Sequence, residues 1–112
     1  MSNYYVTAEF DYEYVTINFN DVHNENLFTI TFNLLNSYNK LEFLNIKNCI
    51  VNNRNYSSNN EPINIKYNFE LNQIIFLIND LDNGLYVRYI CKPNKSLLNV
   101  FEEISKYDFL SE

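Results

Sequence analysis

Glu9, Asp11 and Glu13 stand two residues apart. On an extended strand their carboxylates point the same way, about 6.8 Å from one to the next. Such a row can meet a surface of Lys and Arg on another protein, or a basic groove built to grip phosphate. Repulsion between neighbours at that spacing is only on the order of half a kcal/mol in water. The row therefore also stands without a partner, as a solvated face or as charged protection of a strand edge. Tyr5 shares its phase, and tyrosine is enriched where proteins meet. Glu102, Glu103 and Asp108 form a second acidic group near the C-terminus.

Groups for covalent or acid–base catalysis are sparse. His23 is the single histidine and lies in a polar stretch between Asp21 and Glu25. A Ser or Cys nucleophile needs a His base, and His23 reads more simply as an exposed loop residue. Cys49 and Cys91 are 42 residues apart, which is neither a zinc spacing nor a redox motif. They read as two reduced thiols, with a disulfide between them as the alternative. Asp80-Leu81-Asp82-Asn83-Gly84 superficially matches a calcium loop, but Gly84 falls one place early and no Glu follows at the required distance. One glycine in the chain leaves no phosphate-cradling loop. No metal, cofactor or catalytic residue is expected.

Charge narrows the partner. Eight Lys and Arg face 14 Asp and Glu, a formal charge of −6. Binding nucleic acid through its phosphates needs clustered cations, so that class is disfavoured. Asn occurs 22 times and Lys only 6, although both use AA-starting codons. Positive charge is held down, either for solubility or to suit a basic partner. The balance is uneven along the chain. Residues 1–39 hold five acids and no cation, residues 40–95 hold seven cations against five acids, and residues 96–112 hold four acids against Lys106. No window offers the roughly 20 apolar residues of a membrane span, and the N-terminal MSNYYVTAEF lacks the pattern of a secretory signal. Cytoplasmic residence is the expectation.

The elements that must position the acids are mostly strands. Tyr4, Val6, Ala8, Phe10, Tyr12 and Tyr14 share one phase, and Val15, Ile17 and Phe19 the other. That flip marks a bulge, or a tight break between two strands near 11–15. Phe28, Ile30, Phe32 and Leu34 alternate with polar residues and should pair with the preceding segment. Asn36–Lys40 reads as a turn and Leu41–Val51 as an irregular strand, with Asn52–Pro62 as a mobile loop. Ile63–Phe69 alternates again. Ile74–Ile78 is apolar on both phases, as in a central strand covered on both faces. Asn83-Gly84 predicts a two-residue hairpin turn, with Leu85–Lys92 as the return strand. Ser96 is placed to cap a helix over about 97–107, because Leu97, Leu98, Phe101 and Ile104 recur at helical spacing.

The expected fold is mainly β, of the α+β class, in a single domain over residues 1–112. Six or seven antiparallel strands over 4–92 form a sandwich or a curved sheet, and one C-terminal helix packs on it.

Size, the β-rich region from Tyr4 to Lys92, the helix from Leu97, and acidity without catalytic residues together give a recognisable profile. It resembles the small acidic immunity proteins of bacterial toxin–immunity pairs, including those of contact-dependent growth inhibition systems. The resemblance spans the chain and contains no diagnostic motif. It implies a cytoplasmic one-to-one complex with a toxin domain, often a nuclease. On charge, the contacts would fall to Glu9, Asp11 and Glu13, with Tyr5 as an anchor and Glu102, Glu103 and Asp108 as a second patch. Two other readings fit the same residues: a phage-encoded DNA mimic that inhibits a host nuclease, and a non-catalytic carbohydrate- or peptide-binding module using exposed Tyr and Asn.

Overall fold

The computed structural model describes residues 4–23, 25–34, 37–58 and 63–107. Among these residues it is mainly β and of the α+β class, with antiparallel sheets of three and four strands and two helices. Its contacts divide the chain into two compact units, Met1–Leu44 with Asn94–Glu112, and Asn45–Pro93.

The first unit carries the sheet β1 (Tyr4–Asp11), β2 (Tyr14–Asp21) and β3 (Asn26–Asn33), in that order. The phase flip of the sequence is a hairpin between two strands. Asp11 pairs with Tyr14, leaving Tyr12 and Glu13 as a two-residue turn, and Tyr12 takes φ 53. One face of the sheet is apolar, with Val6, Val15, Ile17, Phe19, Ile30 and Phe32 buried. Each such side chain contributes roughly 1.5–3 kcal/mol on leaving water.

Helix α2 (Lys95–Lys106) packs against β1 and buries Leu97, Val100, Phe101 and Ile104. These four positions recur every three or four residues, which makes one apolar stripe. Phe43 bridges the layers: its ring meets Phe32 edge-on at 4.8 Å and Phe101 at 5.5 Å. The cap is Asn94 rather than the expected Ser96. Asn94 Oδ1 accepts from the Leu97 N–H, and Ser96 is inside the helix, where its hydroxyl serves the sheet.

The larger correction is α1 (Ser37–Val51), a helix where the sequence read a turn and a strand. Phe43, Ile46 and Ile50 are buried at helical spacing, while Leu41, Leu44 and Val51 are exposed. Apolar residues thus lie all around the helix and blur its period. Asn53 ends it in a left-handed conformation, φ 56. The Arg54 N–H bonds to the Cys49 carbonyl at 2.9 Å and the Asn53 N–H to Ile50 at 3.4 Å, the Schellman pattern with Asn in the place usually held by Gly.

The second unit carries β4 (Tyr56–Ser57), β5 (Ile63–Asn68), β6 (Gln73–Asp80) and β7 (Leu85–Cys91), in that order. Part of the expected loop 52–62 is therefore strand. Ser58 continues it: its N–H donates to the Ile65 carbonyl at 3.0 Å, and its buried hydroxyl accepts from the Ile65 N–H at 2.8 Å. β6 is central, but only one of its faces is fully covered. Ile74 and Phe76 are buried, whereas Ile75 and Leu77 are half-buried. The β6–β7 connection runs over Leu81–Gly84 rather than two residues, because Leu81–Asn83 form a 3₁₀ turn. Gly84 alone takes the positive φ there, 64. Both cysteines are free.

Candidate functional site

The alternation of β1 sorts its side chains cleanly. Tyr5, Thr7, Glu9 and Asp11 are exposed on the outer face, and Tyr4, Val6, Ala8 and Phe10 lie on the inner one. Tyr5, Glu9 and Asp11 therefore share a face, as the sequence required. Glu13 does not join that row. It sits in the turn, half-buried, and its carbonyl accepts from the Leu34 N–H. A two-residue turn ends the strand before a third rung can form.

The turn adds two residues that the sequence places on the phase of Val6 and Phe10, opposite the acids. Tyr12 is 73% exposed at the hairpin tip and Tyr14 is 45% exposed directly opposite Asp11. Once Asp11 pairs with Tyr14, the inner face passes from even to odd numbers and Tyr14 moves outward. The signal for this was the flip at Val15, which placed the break but left its side open. The hairpin end therefore presents Glu9, Asp11 and Glu13 with Tyr12 and Tyr14.

Behind this edge the outer face is uncharged and tied up internally. The Thr16 and Thr31 hydroxyls lie 3.1 Å apart, and the Thr29 hydroxyl reaches Asn18 Oδ1 at 2.8 Å and Asn26 Oδ1 at 3.1 Å. At the far end Asp21 has a structural task. Its Oδ1 accepts from the His23 N–H at 2.9 Å and the Glu25 N–H at 3.0 Å, so it builds the β2–β3 turn. His23 is exposed in that turn.

The second acidic patch is only partly assembled. Glu102 pairs with Lys106 at 3.2 Å, one helical turn on. Glu103 is exposed and lines a groove between α2 and β1. Asp108 lies outside the described residues.

The units differ sharply in charge. The first holds ten of the 14 acids and three of the eight cations, a formal −7; the second holds four acids and five cations, a formal +1. Glu42 is the one described acid of the first unit that is buried. Cations of the second unit stand on the outer face of its sheet, where Lys66 and Arg88 are exposed on the phase of Ile75 and Leu77.

No protein-family model, curated protein or solved structure matches this chain. Among the described residues no three His, Cys, Asp or Glu gather as a metal site, and no helix is long and apolar enough to cross a membrane. The strongest chemical feature is the acidic, tyrosine-flanked edge of the first sheet. It can attract cations at range and offer aromatic surface on contact.

Proposed function

We propose that this chain is a non-catalytic inhibitor of the immunity-protein kind. It binds and neutralises a cationic bacterial toxin domain in the cytoplasm. The observation that carries the reading is the concentration of charge in the first unit, with Glu9 and Asp11 turned outward on one strand beside exposed Tyr5, Tyr12 and Tyr14. Long-range attraction steers a basic partner to this edge. The tyrosines then supply amphipathic contact area with few rotors to immobilise. A nuclease suits the chemistry best, because a site that grips phosphate is itself basic. A phage-encoded DNA mimic uses the same surface on a host nuclease, and the partner's identity separates the two.

The test is co-purification of the tagged chain from its native host, with mass spectrometry of what is retained. A basic toxin or nuclease domain should be recovered with the native chain and lost with Glu9→Lys/Asp11→Lys/Glu13→Lys. Retention of the same partner by the triple variant removes the reading. The carbohydrate-binding alternative draws some support from the Asn- and Thr-rich outer face, but those groups already bond to one another. Binding to a glycan array without any protein partner would favour it.

A further inference from the structure

β1 is an edge strand of its sheet, and among the described residues hydrogen bonds close its outer edge along only part of its length. Asn94 Nδ2 donates to the Tyr4 carbonyl at 2.9 Å, and the Val6 N–H donates to Ser96 Oγ at 3.0 Å. The start of α2 thus occupies the edge at Tyr4 and Val6. Main-chain groups alternate in an antiparallel ladder, so Ala8 and Phe10 point their N–H and C=O the same way as Val6, away from β2. Among the described residues neither makes a hydrogen bond there. Beside them a groove of about 350 Å³ opens between strand and helix, floored by Val6, Ala8 and Val100 and rimmed by Asn99 and Glu103.

We infer that this open edge receives an extended basic segment of the partner, which adds as a further strand beside β1. The inference rests on the proposed inhibitor function and deepens it by naming the partner's docking element. Charge selects the occupant. Side chains of an added strand alternate between faces. Those on the outer face fall beside Glu9 and Asp11, where Lys or Arg is favoured. Those on the inner face enter the groove, where a small aliphatic group meets Val6, Ala8 and Val100, and Glu103 rewards a cation at the rim. Natural edges are normally blunted; among the described residues α2 bonds this one at Tyr4 and Val6, and at its far end the Tyr107 ring stacks on the Phe10 side chain at 4.4 Å, leaving the Ala8 and Phe10 main chain unbonded. Main-chain pairing supplies affinity, and the flanking carboxylates supply the choice of strand.

The probe is an end-blocked octapeptide of alternating Lys and Val, added to the ¹⁵N-labelled full chain at low salt. Amide exchange at Ala8 and Phe10 should slow about tenfold on saturation, while Thr7 and Glu9, already bonded to β2, should hold their rates. Ala8→Pro deletes the outward donor at an edge position where proline is tolerated; it should weaken peptide binding by about tenfold with the circular dichroism spectrum kept. Unslowed exchange at Ala8 and Phe10 overturns the inference, and serves even if the proline variant does not fold. If the peptide still binds, and only Glu9→Lys/Asp11→Lys abolishes binding, strand addition is wrong and the acidic contact face stands. If the peptide does not bind, or a Glu–Val peptide binds as well, both readings fall.

Discussion

Asn94 holds the first unit's helix to its sheet, and removing its side chain has a cost that the structure allows to be worked out. Oδ1 caps α2 at the Leu97 N–H, 3.0 Å away, and accepts from the Ser96 hydroxyl at 2.8 Å. Nδ2 reaches across to the Tyr4 carbonyl at 2.9 Å. Asn94→Ala forfeits the cap, about 1 kcal/mol. It also forfeits the tie to β1, a part-buried neutral bond of about 1 kcal/mol. The loss is thus about 2 kcal/mol, or about thirtyfold in the unfolding equilibrium. For a chain of this size that lowers the melting temperature by roughly 6–12 °C. In urea, with a slope of about 2 kcal/mol/M, the midpoint should fall by about 1 M.

The assay is urea unfolding followed by far-UV circular dichroism. Asn94→Asp keeps the cap but replaces the Nδ2 donor by an oxygen that faces the Tyr4 carbonyl, so the midpoint should fall by at least half as much as in Asn94→Ala. Ser96→Ala strips the Val6 N–H of its partner and is coupled to Asn94, so the double variant should lose less than the sum of the singles. A change in Asn94→Ala below about 0.5 kcal/mol would show that α2 does not depend on this clamp.

Three further outcomes follow from single positions. Tyr12 sits at φ 53 in a two-residue turn, a conformation that asparagine tolerates better; Tyr12→Asn should raise stability by up to about 1 kcal/mol yet weaken partner binding, and a stabler variant that binds as before would deny Tyr12 its contact role. Burial, and secondarily Cys91, push the Tyr89 hydroxyl above its ordinary value of 10.0. The folded state therefore prefers the neutral phenol, and that contribution to stability is intact below about pH 10 and is lost as pH rises through the folded value. A 295 nm titration should show Tyr89 deprotonating late, as a component lost in Tyr89→Phe, and Cys91→Ala should move it down without restoring the ordinary value; an unmoved titration refutes the Cys91 part. Phe101 is fully buried against Phe43, so Phe101→Ala should cost about 3–5 kcal/mol in the same urea assay, and a cost below about 1 kcal/mol would show that this ring is not central to the core.

What could be read from the sequence was whatever obeyed a single period. β1, β3 and β5 alternate strictly, and α2 keeps its apolar residues on one stripe. α1 escaped because Leu41, Leu44 and Val51 are exposed while Phe43, Ile46 and Ile50 are buried, which spreads apolar residues around the whole helix. Its end was marked by Asn53 rather than Gly, in a chain where Asn is so common that one more carries little information. Turn lengths were illegible for a related reason: Asn83-Gly84 suits a two-residue turn, yet Asp80 bonds Asn83 through its side chain at 2.7 Å and the longer 3₁₀ connection forms. At the acidic edge the outward placing of Tyr5, Glu9 and Asp11 followed from strand parity alone. The removal of Glu13 from the row and the outward turn of Tyr14 required knowing on which side of Tyr12 the strand stopped.

The central claim is that the outward carboxylates of β1 guide a basic protein to this chain. The direct measurement is the association rate of the co-purified partner, taken across a salt series, for the native chain and for Glu9→Lys/Asp11→Lys. Each unit of charge about 8 Å from a partner cation contributes about 0.5 kcal/mol in water, and about half of that after screening at 0.1 M salt. The double reversal changes four units, about 1 kcal/mol in all, so the account predicts an association rate that falls steeply with salt and drops by about fivefold in the variant. A rate indifferent both to salt and to the reversal would contradict it.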